Sequence, residues 1–276
     1  MMHRRIEVGC EFTYDAAVPT PTIFQVQPAT APGLTHLIES WTAQPTMDLR
    51  SYVDLYGNRC TRVVLPVGRS SFRYCAEVEV PDTTEDFDLY APEVAPEALP
   101  DDVLVYTLPS RYCLPDVLAV EAWDLFGDVA PGYGRVQAIC DHVNQHLTFQ
   151  YGSSSAWSTA ADVNSTRLGV CRDYTHLAIS FCRALNIPAR YVFGYLPDVD
   201  VAPSEGEMDF AAWMQVWLGD RWWTFDPRNN VRRKGRVLIG VGRDAADVAM
   251  ATTFGGPILA SMTVLARELA PSTESD

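Results

Sequence analysis

The sequence predicts an α+β fold, with an N-terminal antiparallel β domain followed by a unit in which a cysteine-bearing helix packs on an antiparallel sheet. Residues 4–14, 60–67 and 71–80 alternate apolar and polar positions and are rich in β-branched and aromatic residues, a pattern typical of strands. Residues 171–185 place apolar side chains at helical spacing and predict a buried helix. The aromatic segment 211–227 contains a Gly-Asp pair and predicts a hairpin.

Changes in composition divide the chain into four parts. Gly68 and Arg69 lie between two of the predicted strands and predict a hairpin turn there. The segment after it is rich in acids and prolines, as linkers are, and is followed by a helix that is predicted to begin at Pro115-Asp116. The predicted parts are an N-terminal β domain (1–85), an acidic linker with a connecting helix (86–129), a core (130–267) and a disordered polar tail (268–276).

The composition excludes several classes of protein. The 276 residues carry a net charge of −14, which repels nucleic acid and anionic lipid, so neither is expected as a partner. The seven cysteines are scattered and form no Cys-x-x-Cys pair, so neither a disulfide scaffold nor a zinc site is indicated. No calcium loop of the Asp-x-Asp-x-Asp-Gly type, no secretion signal and no apolar run of about 18 residues occurs. We therefore expect a cytoplasmic protein without metal or cofactor.

The strongest candidate for chemistry is a cysteine at the predicted start of a helix. Gly169 and Val170 precede Cys171, and Arg167 and Arg172 lie nearby. A helix N-terminus has unpaired N–H groups and about half a positive charge, which stabilise a thiolate. Cys171 is therefore predicted to have a lowered pKa and to act as a nucleophile. The alternative is an inert buried thiol.

Two histidines lie four residues apart on the predicted helix 133–149. The spacing of His142 and His146 would let both bind one metal ion. No third ligand is apparent, so we expect two solvated helix positions instead.

Two segments of the sequence resemble a known family. GVCRDYTHLAISFCRALNIPARYVFGYL (169–196) and MDFAAWMQVWLGDRWWTFDPRNN (208–230) are similar to the transglutaminase-like superfamily, in a bacterial branch often labelled cysteine proteases. The resemblance covers about residues 130–260, including GRDAADVAMATTFG (242–255). It also extends to the turn at 54–58. It implies a papain-like fold, in which a catalytic cysteine begins a helix that packs on an antiparallel sheet.

The resemblance also implies a reaction and two site residues. In the family, a thiolate attacks an amide or ester carbonyl and forms a thioester, a histidine accepts the proton, and an aspartate orients that histidine. Cys171 matches the nucleophile and Asp226 matches the aspartate. The implied substrate is a peptide, a protein or a small amide. The sequence leaves open whether the reaction is hydrolysis or acyl transfer. It also leaves open the oligomeric state.

The chain departs from the family at the histidine. The family usually has Asp-Phe-His-Ala-Trp where residues 209–213 are Asp-Phe-Ala-Ala-Trp, so Ala211 occupies the position of the general base. Three explanations are open: another base such as His176 substitutes, the protein is a non-catalytic binding module, or Ala211 is an engineered inactivating change. Five residues rotate a helix by about 140°, which turns His176 away from Cys171 and favours a structural role. Asp209 is expected to be a solvated loop acid.

Overall fold

A computed structural model describes residues 2–31, 33–203 and 206–270. Its helices are α1 (Asp101–Leu104), α2 (Ala119–Phe126), α3 (Tyr133–His146), α4 (Ala160–Thr166) and α5 (Cys171–Ala184). Its strands are β1 (His3–Ala16), β2 (Thr20–Phe24), β3 (Thr35–Gln44), β4 (Arg50–Val53), β5 (Arg59–Leu65), β6 (Gly68–Pro81), β7 (Thr148–Phe149), β8 (Leu168–Gly169), β9 (Ala189–Tyr195), β10 (Ala211–Leu218), β11 (Arg221–Phe225), β12 (Val237–Gly242), β13 (Ala251–Thr253) and β14 (Ile258–Glu268).

The N-terminal half forms two four-stranded antiparallel sheets. One has the order β14-β1-β6-β3 and the other the order β13-β2-β5-β4. The predicted hairpin at Gly68 is therefore wrong: β5 and β6 are consecutive, but they lie in different sheets. β6 pairs with β1 along one edge and with β3 along the other, so neither edge is free to pair with β5.

The last strands of the chain return to this N-terminal half. β13 pairs with β2, and β14 pairs with β1 from Ile6–Glu268 to Asp15–Ile258. Apart from Glu268, both strands lie within the range 130–267 that the sequence assigns to the core, so sequence order does not follow the sheets here. The predicted tail begins at Glu268, which ends β14, and residues 271–276 lie outside the described residues.

The core has the papain-like arrangement that the sequence implies. An antiparallel sheet with the order β11-β10-β9-β12 packs against α5, and α2, α3 and α4 flank the helix. The hairpin of β10 and β11 is confirmed, with Met214 opposite Phe225 and Leu218 opposite Arg221. The helix begins at Cys171, as predicted, and nearly all of its following residues are buried. The fold is therefore α+β with antiparallel sheets.

An asparagine connects the N-terminal half to the core sheet. The side chain of Asn58 is buried and bonds both backbone groups of Val241 in β12, accepting its N–H and donating to its C=O at 2.8 Å each. Asp54 holds the asparagine, because its carboxylate accepts the Asn58 backbone N–H and side-chain amide. The Asn58 side chain thus replaces a missing strand along this part of β12.

Residues 82–86, at the boundary between the predicted β domain and the acidic linker, are tied to the core by ion pairs. Asp82 pairs with Lys234 at 2.8 Å, Asp86 pairs with Arg221 at 2.9 Å, and Glu85 pairs with Arg236. The helix that the sequence predicts from Pro115-Asp116 begins at Ala119, and the one predicted over 133–149 ends at His146. No helix in the described parts of the chain is both long and apolar enough to cross a membrane.

We expect Asn58→Ala to destabilise the protein by about 2 kcal/mol, because it leaves a buried N–H and a buried C=O without partners. Urea unfolding followed by tryptophan fluorescence measures the change. Leu55→Ala, in the same loop and 86% exposed, is the control and should stay within about 0.5 kcal/mol of the parent. Equal effects of the two substitutions would contradict the proposed connection.

Candidate functional site

Local structure fixes the cysteine at the first position of α5. The Asp173 carboxylate accepts the backbone N–H of Val170 at 2.9 Å, which caps the helix and places an acid in its first turn. A Cβ at Gly169 would lie 2.9 Å from the Cβ of Asp173, so only glycine fits at the end of β8. Gly169 and Asp173 together fix the backbone from which the Cys171 side chain projects at the start of α5.

Cys171 is half-buried and opens onto the largest of the cavities described, about 760 Å³ in volume. Its Sγ lies 4.0 Å from the carbonyl oxygen of Phe210, and the backbone N–H of Ala212 interacts with the sulfur. The start of β10 therefore forms the wall beside the thiol. The cavity is lined by Phe149, Tyr151, Val170, Cys171, Leu196, Asp198, Gly206, Glu207, Met208, Asp209, Phe210, Ala211, Ala212, Arg228, Asn229 and Arg233.

The thiol is not activated in this structure. Burial raises the pKa of Cys171 to about 11, and Asp209 and Asp226 add to this effect. The Ala212 N–H and the Arg228 guanidinium act in the opposite direction, but they do not compensate for burial. The expected lowering of the Cys171 pKa by the helix N-terminus is thus wrong, because desolvation of the thiolate outweighs the helix dipole.

Ala211 stands at the first residue of β10, opposite Gly194 in β9. It lines the same cavity as Cys171, and the lining residues in the described parts of the chain include no histidine and no lysine. The position that the sequence resemblance matches to the family's base therefore lines the same cavity as the thiol, and its side chain is a methyl group.

Asp226 follows β11 directly, next to Phe225, which pairs with Met214 in β10. Its Oδ2 accepts Arg236 Nη2 and Asn229 Nδ2 at 2.8 Å each, and its Oδ1 accepts the backbone N–H groups of Arg228 and Asn229. Burial disfavours the charge, but Arg236 and Asn229 nevertheless lower the pKa of Asp226. The carboxylate is therefore ionised, and Arg236, Asn229 and two backbone N–H groups bind both of its oxygens.

His176 has a structural environment. Its ring is buried and stacks on Tyr112 with centroids 5.1 Å apart, and its Nε2 accepts the backbone N–H of Ala245 at 3.1 Å. Burial, together with Arg172, lowers the pKa of His176 to about 3. It does not line the cavity of Cys171.

The pair of histidines on α3 is less solvated than expected. His142 and His146 are half-buried and stacked with centroids 5.2 Å apart, and His142 also packs against Phe126 and Phe181. Burial lowers the pKa of His142. Within the described residues, no group of three His, Cys, Asp or Glu side chains is arranged to hold a metal ion.

Sequence reasoning missed three residues around Asp226. Arg236 and Asn229 bind its carboxylate, and Arg228 lines the cavity beside Cys171. The Arg-Asn-Asn run that follows Pro227 was the available signal, since polar residues after a catalytic strand often line a site. Asp209, expected to be a solvated loop acid, also lines the cavity, and burial raises its pKa.

Comparison with known proteins identifies the class. Residues 124–227 match the family model of the transglutaminase-like superfamily. The structure of a putative cysteine protease from Cytophaga hutchinsonii matches with a TM-score of 0.89 and 31% identity, over 99% of this chain and 93% of that one. The chain therefore belongs to the transglutaminase-like superfamily. This fold and this neighbour support a cysteine enzyme in general terms.

The curated relatives share only part of their length with this chain. An uncharacterized protein of Mycobacterium leprae, ML0607, is 41% identical over 106 residues, which are 37% of this chain and 38% of the relative. An uncharacterized protein of Mycobacterium tuberculosis, Rv2569c, is 32% identical over 120 residues, which are 40% of this chain and 38% of the relative. The matched part thus covers little more than a third of these relatives.

We expect the contribution of Asp226 to stability to depend on pH. Its pKa in the folded chain is lower than the ordinary value of about 3.9, so its stabilising effect is complete above that value and disappears as the pH falls through the folded pKa. Asp226→Asn should cost about 3 kcal/mol at neutral pH, because Arg236 loses a charged partner. The deficit should shrink as the pH falls below about 4.

Urea unfolding of both proteins at neutral and acidic pH measures this difference. Asp220→Asn, which removes an exposed carboxylate from the turn of the same hairpin, is the control and should change stability by less than about 0.5 kcal/mol throughout. A deficit of Asp226→Asn that is the same at both pH values would rule out the ionised carboxylate.

Proposed function

We propose that this chain is a transglutaminase-like cysteine enzyme that acts on an amide or peptide carbonyl through Cys171, with turnover limited by the missing base. The single observation that carries the proposal is the position of Cys171, which begins α5 and opens onto the largest cavity described. The substrate class is a peptide, a protein or a small amide, in a cytoplasmic protein that binds neither nucleic acid nor membrane.

The geometry supports the following reaction. The Cys171 sulfur attacks the carbonyl carbon, the S–C bond forms, and the carbonyl oxygen takes up negative charge. The backbone N–H groups of Cys171 and Arg172 at the start of α5 have no acceptors within the helix and can bind that oxygen, whereas the Asp173 N–H already donates to the Val170 carbonyl at 2.8 Å. The C–N bond then breaks, the amine leaves with the proton lost by the thiol, and a thioester remains. Water completes hydrolysis, and a second amine completes acyl transfer.

The lost base lowers the rate of this reaction. With a pKa of about 11, Cys171 is a thiolate in on the order of one molecule in ten thousand at pH 7. Ala211 cannot accept the proton, and His176 faces Ala245. Removal of one member of a catalytic unit typically costs several powers of ten in rate. We therefore expect slow acylation that accelerates as the pH rises.

The same observations support a second candidate, a binding module that keeps the cavity without catalysis. Arg236 and Asn229 occupy the oxygens of Asp226, so the aspartate has a stable environment without an imidazole. In this alternative, Cys171→Ala binds peptide ligands as tightly as the parent chain. An engineered His-to-Ala change remains a further explanation of Ala211.

The expected result is that Cys171 alkylation by iodoacetamide, mapped by mass spectrometry, rises about tenfold per pH unit between about pH 7 and 10, as a thiol of this pKa requires. Ala211→His should raise the rate at pH 7 by at least about tenfold, because an imidazolium stabilises the thiolate. It should also give the first measurable hydrolysis of peptide amides.

Ala211→Gln is the matched control, since it fills the same position with a side chain that cannot accept a proton at neutral pH. The catalytic proposal fails if Ala211→His and Ala211→Gln alkylate equally slowly and neither forms a thioester. In that case the binding module is the better description.

A further inference from the structure

One arginine in the cavity of Cys171 has an unusual set of partners. The Arg228 guanidinium lies over the ring of Phe149, 4.4 Å from its centroid, and its Nη1 donates to Asn229 Oδ1 at 2.7 Å. Asn229 in turn donates from its Nδ2 to Asp226. A neutral amide thus links Arg228 to the buried Asp226 carboxylate, and the ring and the amide together hold the guanidinium on the wall of the cavity.

The positive charges of the neighbouring arginines are paired with carboxylates, whereas the charge of Arg228 is not. Arg233 pairs with Asp198 at 3.0 Å, and Arg236 pairs with Asp226 and Glu85. No carboxylate among the described residues forms an ion pair with Arg228. Its charge acts on Cys171, where it favours the thiolate. A half-buried guanidinium without an ion-pair partner, beside a thiol in an open cavity, is a site for an anion.

We propose that Arg228 binds a carboxylate of the substrate, so that the cavity selects amides, esters or peptides that carry a carboxylate close to the reacting carbonyl. The inference rests on the proposed role of Cys171, and it adds the chemical class of the substrate. The planar guanidinium can donate two parallel hydrogen bonds to a carboxylate, while stacking on Phe149 limits its rotation.

The acidic side chains that line the cavity determine the orientation of such a substrate. Glu207 and Asp209 come from the loop before β10 and line the cavity, and Asp209 opposes the thiolate of Cys171. A carboxylate is therefore repelled from that wall and attracted to Arg228. The substrate then spans the cavity with its carboxylate at Arg228 and its carbonyl at Cys171.

Two alkylating reagents of nearly equal size test this arrangement. Iodoacetate carries a carboxylate and iodoacetamide is neutral, so the ratio of their rates at Cys171 reports an anion site independently of thiol reactivity. We expect this ratio to be higher in the folded protein than in the same chain unfolded in urea. Arg228→Gln should lower it by about fivefold, the factor that two opposite unit charges about 4 Å apart produce in water.

Three variants and one competitor make the result specific. Arg228→Lys should keep most of the ratio. Arg232→Gln, an exposed arginine outside this cavity, should leave it unchanged, and Asp209→Asn should raise it. Propionate should slow the labelling of the parent protein by iodoacetamide in a saturable manner, and propionamide should not, which tests the site without any substitution.

The outcomes separate this inference from the proposed function. If Cys171 reacts but neither Arg228→Gln nor propionate has an effect, the carboxylate site is overturned and the nucleophile stands. If Cys171 reacts with neither reagent up to about pH 10, both are overturned. If Arg232→Gln lowers the ratio as much as Arg228→Gln does, the effect belongs to the net charge of the protein, and the site is again overturned.

Discussion

The ion pairs of the buried Arg236 guanidinium are the interactions on which the candidate site depends. It pairs with Asp226 at the end of β11 and with Glu85 just before the acidic linker, and it lies 4.8 Å from the centre of the Trp213 ring in β10. A buried cation must be paired, and Arg236 has two carboxylate partners, so removal of either acid would weaken its compensation. Arg236 therefore connects Glu85, the β10–β11 hairpin and the candidate catalytic aspartate. A shift of any one of these would disturb the contacts of Arg236 with the other two.

The elements with regular patterns could be predicted from the sequence, and the pairing of distant strands could not. Helix α5 and the β10–β11 hairpin follow from apolar spacing and from the Gly219-Asp220 turn, both of which are local. The return of β14 to β1 has no local signal, because a strand shows only which face it buries and not which strand it joins. The error at Gly68 has the same cause, since a turn between two strands does not require that the two strands pair.

For the candidate site, too, the sequence predicts local features, but it does not predict the electrostatics. The positions of Cys171, Ala211 and Asp226 could be predicted because the motif is contiguous in each segment. The pKa of Cys171 could not, because it depends on how much water the wall at 208–212 excludes from the thiol. Arg236 lies ten residues beyond Asp226 in an irregular segment, so nothing in the sequence indicates that the two side chains meet.

The contacts of Asp226 explain how the chain can lack the base and still keep the cavity. In a site that relies on an imidazole to bind the aspartate, replacing histidine by alanine would leave a buried carboxylate without that partner, at a cost of several kcal/mol. Here Arg236, Asn229 and two backbone N–H groups fill both oxygens. The strand is also unaffected, because β10 pairs with β9 through backbone groups that do not depend on the side chain at 211. An alanine at position 211 is therefore compatible with the stability of the fold, and the wall of the cavity, including Arg228, keeps its position.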